Sequence, residues 1–203
     1  MRFHLASTSP ARLATLRAAG IEPVAIAPGV DEEAAVAAAG PLTPPEMVML
    51  LARLKAEAVA TASPGLDGLV FGGDSAFEFE GAVYGKPHRP EVARERWIAQ
   101  RGRWGLLHSG HWLIDTRTGR AVGAPAVARV EFAADITDAE IDAYVATGEP
   151  LQVAGAFTID ARGAAFIERI EGDPHAVVGL SIPLLRTLVR ALDVEWPALW
   201  NRD

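Results

Sequence analysis

The sequence has no cysteine, and this absence excludes disulfide bonds, thiolate metal sites and a cysteine nucleophile together. A chain without disulfides suits a reducing compartment, so we expect a cytoplasmic protein. Long apolar runs are also missing. The first apolar run is too short for a signal peptide, and no later stretch reaches the roughly 18 apolar residues that a membrane span needs. We therefore expect neither export nor membrane anchoring.

Basic residues are fewer than acidic ones, with 19 Lys and Arg against 26 Asp and Glu and a formal charge of -7. A nucleic acid polymer would meet net repulsion unless the basic residues were clustered. The densest basic stretch, Arg94 to Arg103, is interrupted by Glu95 and by the apolar Trp97 and Ile98. We therefore expect no nucleic acid polymer as a partner.

The order of local patterns along the chain predicts its fold class. At 203 residues and 50% hydrophobic content, the chain can bury a sizeable core. The main strands are predicted over residues 3–6, 23–27, 69–73, 106–115, 122–132 and 165–170. One main helix is predicted to begin at residue 10, and the others are predicted over residues 43–62, 90–100, 137–146 and 183–192. This alternation indicates an α/β protein with a mixed twisted sheet flanked by helices. We expect one domain over residues 1–203, with two lobes and a cleft as an alternative arrangement.

The junction between the first strand and the first helix is a candidate anion site. Ser7-Thr8-Ser9-Pro10 precedes the helix, where free backbone N–H groups and the helix dipole favour negative charge. The hydroxyl groups of this segment, that of Ser9 among them, and the Arg12 guanidinium would strengthen such a site. The alternative is that Ser9 only caps the helix and that Arg12 is a solvated surface residue.

A carboxylate follows the predicted strand 69–73, in the sequence Gly72-Gly73-Asp74-Ser75. Open α/β sheets usually bind ligands at the carboxyl ends of their strands. An aspartate at that position can hold a metal ion or accept a proton from water. The alternative is that Asp74 caps a turn at the end of the strand.

Further charged residues can complete a site for a polyphosphate and a cation. Asp31-Glu32-Glu33 is predicted as a loop whose oxygens suit a hard cation such as Mg²⁺, although acidic runs are usually just solvated. Lys55 and Lys86 can each offer positive charge to phosphates. Lys55 is predicted at the edge of an apolar stripe formed by Met47, Leu50, Leu51, Leu54 and Ala58.

Other kinds of site are excluded by spacing. His108 and His111 are three residues apart in a predicted strand, so their side chains point to opposite faces and do not readily share a metal. The residues from Gly73 to Phe77 lack the final glycine of a nucleophile elbow. The chain also has neither a Walker A loop nor a His-Glu-x-x-His motif.

Taken in order, these segments resemble the Maf family of septum-formation-associated nucleotide pyrophosphatases, whose fold is similar to that of inosine triphosphate pyrophosphatases. The resemblance covers nearly the whole chain. Its motifs are Leu5-Ala6-Ser7-Thr8-Ser9-Pro10-Ala11-Arg12, Val30-Asp31-Glu32, Leu51-Ala52-Arg53-Leu54-Lys55-Ala56, Gly73-Asp74-Ser75, Gly85-Lys86-Pro87, Gly148-Glu149-Pro150, Ala154-Gly155-Ala156-Phe157, Ile170-Glu171-Gly172 and Val177-Val178-Gly179-Leu180.

The resemblance implies a metal-dependent enzyme that hydrolyses nucleoside triphosphates, including pyrimidine and modified forms, to monophosphate and pyrophosphate. It implies that phosphates are bound by Ser9, Arg12, Lys55 and Lys86. It also implies that Glu32 helps to hold Mg²⁺ or Mn²⁺, and that Asp74 activates water or binds that metal. A homodimer is expected on the same basis.

The chain departs from the family pattern at several positions. The family usually has a second arginine at Ala11, an Asp-Lys pair at Gln152-Val153 and a tyrosine at Phe157. Two positive charges are therefore missing from the expected pocket. This leaves a second hypothesis, a catalytically degenerate member that binds nucleotide or regulates cell division. A third hypothesis is a metal-dependent phosphatase that releases orthophosphate.

Overall fold

The computed structural model describes residues 1–202 and contains seven strands and seven α-helices in that range. The strands are β1 (Phe3–Ala6), β2 (Val24–Ala25), β3 (Leu69–Phe79), β4 (Ala82–Tyr84), β5 (Trp104–Asp115), β6 (Ala121–Phe132) and β7 (Ile167–Glu171). The helices are α1 (Pro10–Ala18), α2 (Glu32–Ala39), α3 (Pro44–Ala62), α4 (Pro90–Gln100), α5 (Asp138–Ala146), α6 (Pro174–Val178) and α7 (Ile182–Ala191). No helix within residues 1–202 is long and apolar enough to cross a bilayer.

The strands form one sheet in the order β2-β1-β3-β5-β6-β7, with β4 paired to β3. Strand β1 is parallel to both β2 and β3, whereas β4 is antiparallel to β3 and β7 is antiparallel to β6. The sheet is therefore mixed, and the predicted α/β fold class is confirmed.

The chain divides into two compact units, and each has its own hydrophobic core. The first unit comprises residues 1–74, 109–126 and those from 179 onward; the second comprises residues 75–108 and 127–178. Buried residues of the first core include Phe3, Leu16, Phe71, Leu113 and Leu185. Buried residues of the second include Phe77, Trp97, Phe132, Tyr144 and Phe157.

Two of the predicted helices begin with a capping box. Thr43 with Glu46 opens α3, and Thr137 with Glu140 opens α5, so that side chains satisfy backbone N–H groups which a helix start leaves unpaired. A two-residue turn joins β3 to β4. Glu80 and Gly81 both have positive φ there, as a tight hairpin turn requires.

Two predictions of local structure were wrong near the candidate site. The acidic run was predicted as a loop, yet Glu32 begins helix α2 and Asp31 caps it by accepting a hydrogen bond from the N–H of Ala34. The strand predicted over residues 69–73 continues to Phe79. Asp74 therefore lies within β3 rather than after its end.

Candidate active site

Two glycines let helix α3 lie directly on the sheet in the first unit. A Cβ atom at Gly72 would lie 2.1 Å from the carbonyl oxygen of Ala52, and one at Gly110 would lie 2.2 Å from another carbonyl oxygen of the same helix. No side chain fits at such distances, so the helix backbone packs against the backbone of β3 and β5. Lys55 follows Ala52 by almost one turn and can therefore reach Asp74, two residues beyond Gly72.

The ammonium group of Lys55 lies between two carboxylates. Its Nζ is 2.7 Å from Oδ1 of Asp74 and 2.8 Å from Oε1 of Glu32. The side chains of Lys55 and Asp74 are only 8% and 14% exposed, whereas that of Glu32 is 49% exposed. The pair between Lys55 and Asp74 is thus shielded from water, and Glu32 closes it on the solvent side.

The burial of Lys55 corrects the predicted face of helix α3. The buried positions of the helix are Val48, Leu51, Ala52, Lys55, Ala56 and Val59. Lys55 therefore lies on the buried face itself, where its ammonium group is paired with Asp74. Likewise Asp74 does not cap a turn, since its carboxylate pairs with Lys55 from the middle of a strand.

Glu32 reaches this cluster from the first turn of α2. The positive end of the helix dipole stabilises a carboxylate at that position. The acidic residues Glu32 and Glu33 both lie in the first turn. Formation of α2, which the sequence did not predict, is what fixes Glu32 beside Lys55.

Arg12 belongs to the same cluster and is buried, in contrast to the solvated alternative considered from the sequence. Its Nε donates to the carbonyl oxygen of Gly179 at 2.8 Å, and its Nη1 donates to Oγ of Ser7 at 3.3 Å. Burial lowers the pKa of Arg12, and the negative charges of Asp74 and Glu32 offset part of that decrease. A guanidinium stays charged in proteins, so this one adds a positive charge close to both carboxylates.

Ser9 caps helix α1, and its Oγ accepts a hydrogen bond from the N–H of Arg12 at 3.4 Å. Its own N–H donates to Oγ of Ser7 at 3.1 Å. Ser9 therefore makes the helix cap that the alternative interpretation of the sequence predicts. It also lies at the positive end of a nine-residue helix, next to the buried guanidinium, where a phosphate would be favoured.

Lys86 belongs to the second unit, in the loop between β4 and α4. The loop is held at both ends: Arg96 donates to the carbonyl oxygen of Gly85, and the N–H of His88 donates to that of Leu151 at 3.0 Å. The side chain of Lys86 is exposed and has no hydrogen bond or ion pair with residues 1–202. Its role in binding phosphate stays a prediction.

The donor set fits a hard divalent cation. Mg²⁺ is typically bound by one or two carboxylates together with substrate phosphates. One carboxylate oxygen of Glu32 and one of Asp74 lie against the same ammonium group, that of Lys55. No group of three or more His, Asp or Glu residues within the described part of the chain is arranged to hold a metal ion. The carboxylates of Glu32 and Asp74 fit the kind of cation site in which substrate phosphates supply further ligands.

Two residues, one in each unit, make hydrogen bonds that the sequence did not predict. In the first unit, Ser7 belongs to the predicted anion site, and its Oγ accepts hydrogen bonds from both Arg12 and Ser9. In the second unit, Glu149 accepts from Thr158 at 2.6 Å and from the N–H of Gly163 at 2.9 Å. Its position between Gly148 and Pro150 was the only hint that it has a special role.

The positions that depart from the family pattern have ordinary structural settings. Ala11 lies in the first turn of α1. Val153 is extended between two short 3₁₀ turns in the second unit. The ring of Phe157 packs edge-to-face against Phe77 and Phe132, with centroids 5.1 and 5.2 Å apart.

Comparison with known proteins supports the family resemblance over nearly the whole chain. The sequence model of a family described as Maf-like protein matches residues 2–192. A protein of Leifsonia xyli subsp. xyli named nucleoside triphosphate pyrophosphatase is 70% identical, over 100% of this chain and 98% of its own length. Proteins of the same name from Salinispora tropica and Streptomyces coelicolor are 52% and 50% identical. These alignments cover 100% and 98% of this chain, and 88% and 94% of the two relatives.

Proposed function

The chain belongs to the Maf family, and from this premise we propose that it hydrolyses nucleoside triphosphates to nucleoside monophosphates and pyrophosphate. The observation that carries the proposal is the cluster of two cations and two carboxylates in the first unit. Such a cluster offers positive charge to phosphates and oxygen ligands or a proton acceptor to water, which are the requirements of phosphoanhydride hydrolysis.

Each residue of the cluster has a distinct role in the proposed reaction. Arg12 and Lys55 attract the triphosphate, and the helix start at Ser9 orients it through backbone dipoles. Asp74 uses Oδ1 to hold Lys55, which leaves its second carboxylate oxygen to orient water and accept its proton. The water oxygen then bonds to the α-phosphorus while the bond to the bridging oxygen breaks and pyrophosphate leaves.

We propose Mg²⁺ or Mn²⁺ as the cofactor, with Glu32 and Asp74 as its protein ligands. The cation would supply positive charge that neutralises the triphosphate and the leaving pyrophosphate. In the structure, Lys55 holds the two carboxylates side by side. Lys55 thereby keeps like charges together, which would otherwise repel one another.

The test is a panel of canonical and modified nucleoside triphosphates, each incubated with Mg²⁺ or Mn²⁺, with the products separated by chromatography. We expect monophosphate and pyrophosphate in equal amounts. Orthophosphate as the first product would indicate a phosphatase instead. Nucleotide binding by calorimetry without turnover of any substrate would indicate a degenerate member of the family.

We further propose that the protein is a cytoplasmic homodimer. The lack of cysteine supports a reducing compartment, and the family resemblance supports the dimer. Light scattering at working concentration should give twice the chain mass of 21.5 kDa. A monomeric mass would contradict the dimer, and recovery of the protein outside the cytoplasmic fraction would contradict its location.

A further inference from the structure

His111 is a fully buried histidine of strand β5 that the proposed reaction does not use. Its Nε2 accepts a hydrogen bond from the backbone N–H of Ser181 at 2.8 Å. Its Nδ1 lies 3.0 Å from the carbonyl oxygen of Ser109. A ring nitrogen that accepts from an N–H carries no proton, so the proton of this imidazole is on Nδ1 and is donated to Ser109.

The N–H of Ser181 needs this acceptor. Ser181 caps helix α7 and is 3% exposed, so water does not readily replace a lost partner. A buried N–H without an acceptor is costly, and the residue that supplies the acceptor therefore fixes the backbone around it. His111 is itself held by Ser109 and by contact with the ring of Phe71, at 5.6 Å between centroids.

The segment that His111 fixes also holds Arg12. The carbonyl oxygen of Gly179, two residues before Ser181, accepts from Nε of Arg12 at 2.8 Å. Gly179 has φ of 105°, a conformation that other residues rarely adopt, so its carbonyl direction depends on the path of the chain around it. A continuous set of short contacts thus leads from strand β5 to the guanidinium.

We propose that His111 is a positioning residue, which orients Arg12 toward the nucleotide's phosphates by fixing the Gly179–Ser181 segment. The proposal rests on the proposed function for its ligand, a triphosphate, and it adds a residue outside the cluster. His111 can act in this way because its neutral imidazole accepts one hydrogen bond and donates another, which no apolar side chain can do.

The first test uses the protein without nucleotide. His111→Phe keeps an aromatic ring against Phe71 and removes both ring nitrogens. His4→Phe is a matched control, because His4 is also buried in the first unit and its Nε2 bonds a backbone carbonyl, that of Asp67. By NMR, we expect the Nε proton of Arg12 to exchange with solvent about tenfold faster in His111→Phe. An unchanged rate, or an equal increase in His4→Phe, would overturn the proposal.

The second test is a double-mutant cycle with inorganic tripolyphosphate, measured by calorimetry. We expect His111→Phe to weaken binding about fivefold when Arg12 is present and less than twofold in an Arg12→Met background. Equal weakening in both backgrounds would show that His111 does not act through Arg12. If the wild-type protein does not bind tripolyphosphate, the proposed function fails, and the exchange rate of Arg12 still decides the role of His111.

Discussion

The ammonium group of Lys55 lies 2.7 Å from Oδ1 of Asp74, and this ion pair joins helix α3 to strand β3. Both side chains are largely shielded from water, so their attraction is screened less than that of a surface pair. Glu32 shares the same ammonium from the exposed side. A triphosphate that approaches from solvent would compete with Glu32 for Lys55 before it reaches Asp74.

Asp74→Asn should lower kcat for nucleotide hydrolysis by about 100-fold or more while the protein stays folded, because the amide keeps the shape of the side chain but is a poor proton acceptor. Pyrophosphate release measures the effect. Asp193→Asn is the control, since Asp193 is 82% exposed and pairs with Arg120. Undiminished turnover in Asp74→Asn would refute the assigned role.

Lys55→Met should destabilise the fold by about 2 kcal/mol, because it leaves the carboxylate of Asp74 without its partner in a shielded position. Glu32→Gln should cost much less, since the side chain of Glu32 is about half exposed. Urea unfolding of both variants gives the comparison. A larger loss in Glu32→Gln than in Lys55→Met would contradict the geometry.

The pattern of the sequence predicted the elements around this site better than the contacts within it. Both capping boxes place side chain and backbone within three residues of each other, so local sequence determines them. The predicted buried face of α3 differs from the observed one by about one residue along the helix. The pattern of apolar residues contains no information about the close approach of the helix backbone to Gly72 and Gly110. Contacts between distant segments decided which face is buried.

Residue chemistry and the family resemblance predict the charged residues of the site, and the structure brings four of them together. Arg12, Lys55, Glu32 and Asp74 lie in the first unit and interact. The link from His111 to Ser181 joins residues 70 positions apart and involves a backbone N–H. No sequence pattern reports such a bond, because neither partner is distinctive by type.

Gly72→Ala should destabilise the protein by about 2–3 kcal/mol, since its Cβ would lie 2.1 Å from the carbonyl oxygen of Ala52 and would force α3 off the sheet. Activity should fall as well, because Lys55 would move from Asp74. Gly85→Ala is the control: its Cβ would meet no atom within 4 Å. Denaturant unfolding of the two variants should differ clearly, and equal stabilities would contradict the close packing.

Stability at acid pH should depend on Glu149. Burial by itself raises the pKa of Glu149, but hydrogen bonds from Thr158, Gly163 and Tyr144 outweigh it, so the pKa lies below its ordinary value of 4.5. Since the folded pKa is below the unfolded one, this stabilisation is complete above about pH 4.5 and is lost as pH falls through the folded pKa.

Glu149→Gln should therefore be less stable than wild type by about 2 kcal/mol at pH 7, and the difference should shrink as the pH is lowered through the acid range. Urea unfolding at a series of pH values measures this change. Glu168→Gln, at an exposed position of β7, should show no such trend. A difference that stays constant down to pH 3 would refute the role of the ionised carboxylate.

Amine-reactive labelling should distinguish the two lysines of the chain, Lys55 and Lys86. Lys86 is exposed and should react readily. Lys55 is buried and paired and should react slowly. Tripolyphosphate should protect Lys86 several-fold if that residue binds phosphate. Peptide mass spectrometry measures both sites in one sample. Equal labelling of Lys86 with and without tripolyphosphate would argue against its predicted role.

At Gly72 and Gly110 the closest approach between α3 and the sheet is made by main-chain atoms of the helix. The spacing between Lys55 and Asp74 therefore depends first on two positions that carry no side chain. Enlarging either glycine should disturb this ion pair more directly than a change of side-chain volume elsewhere in the core.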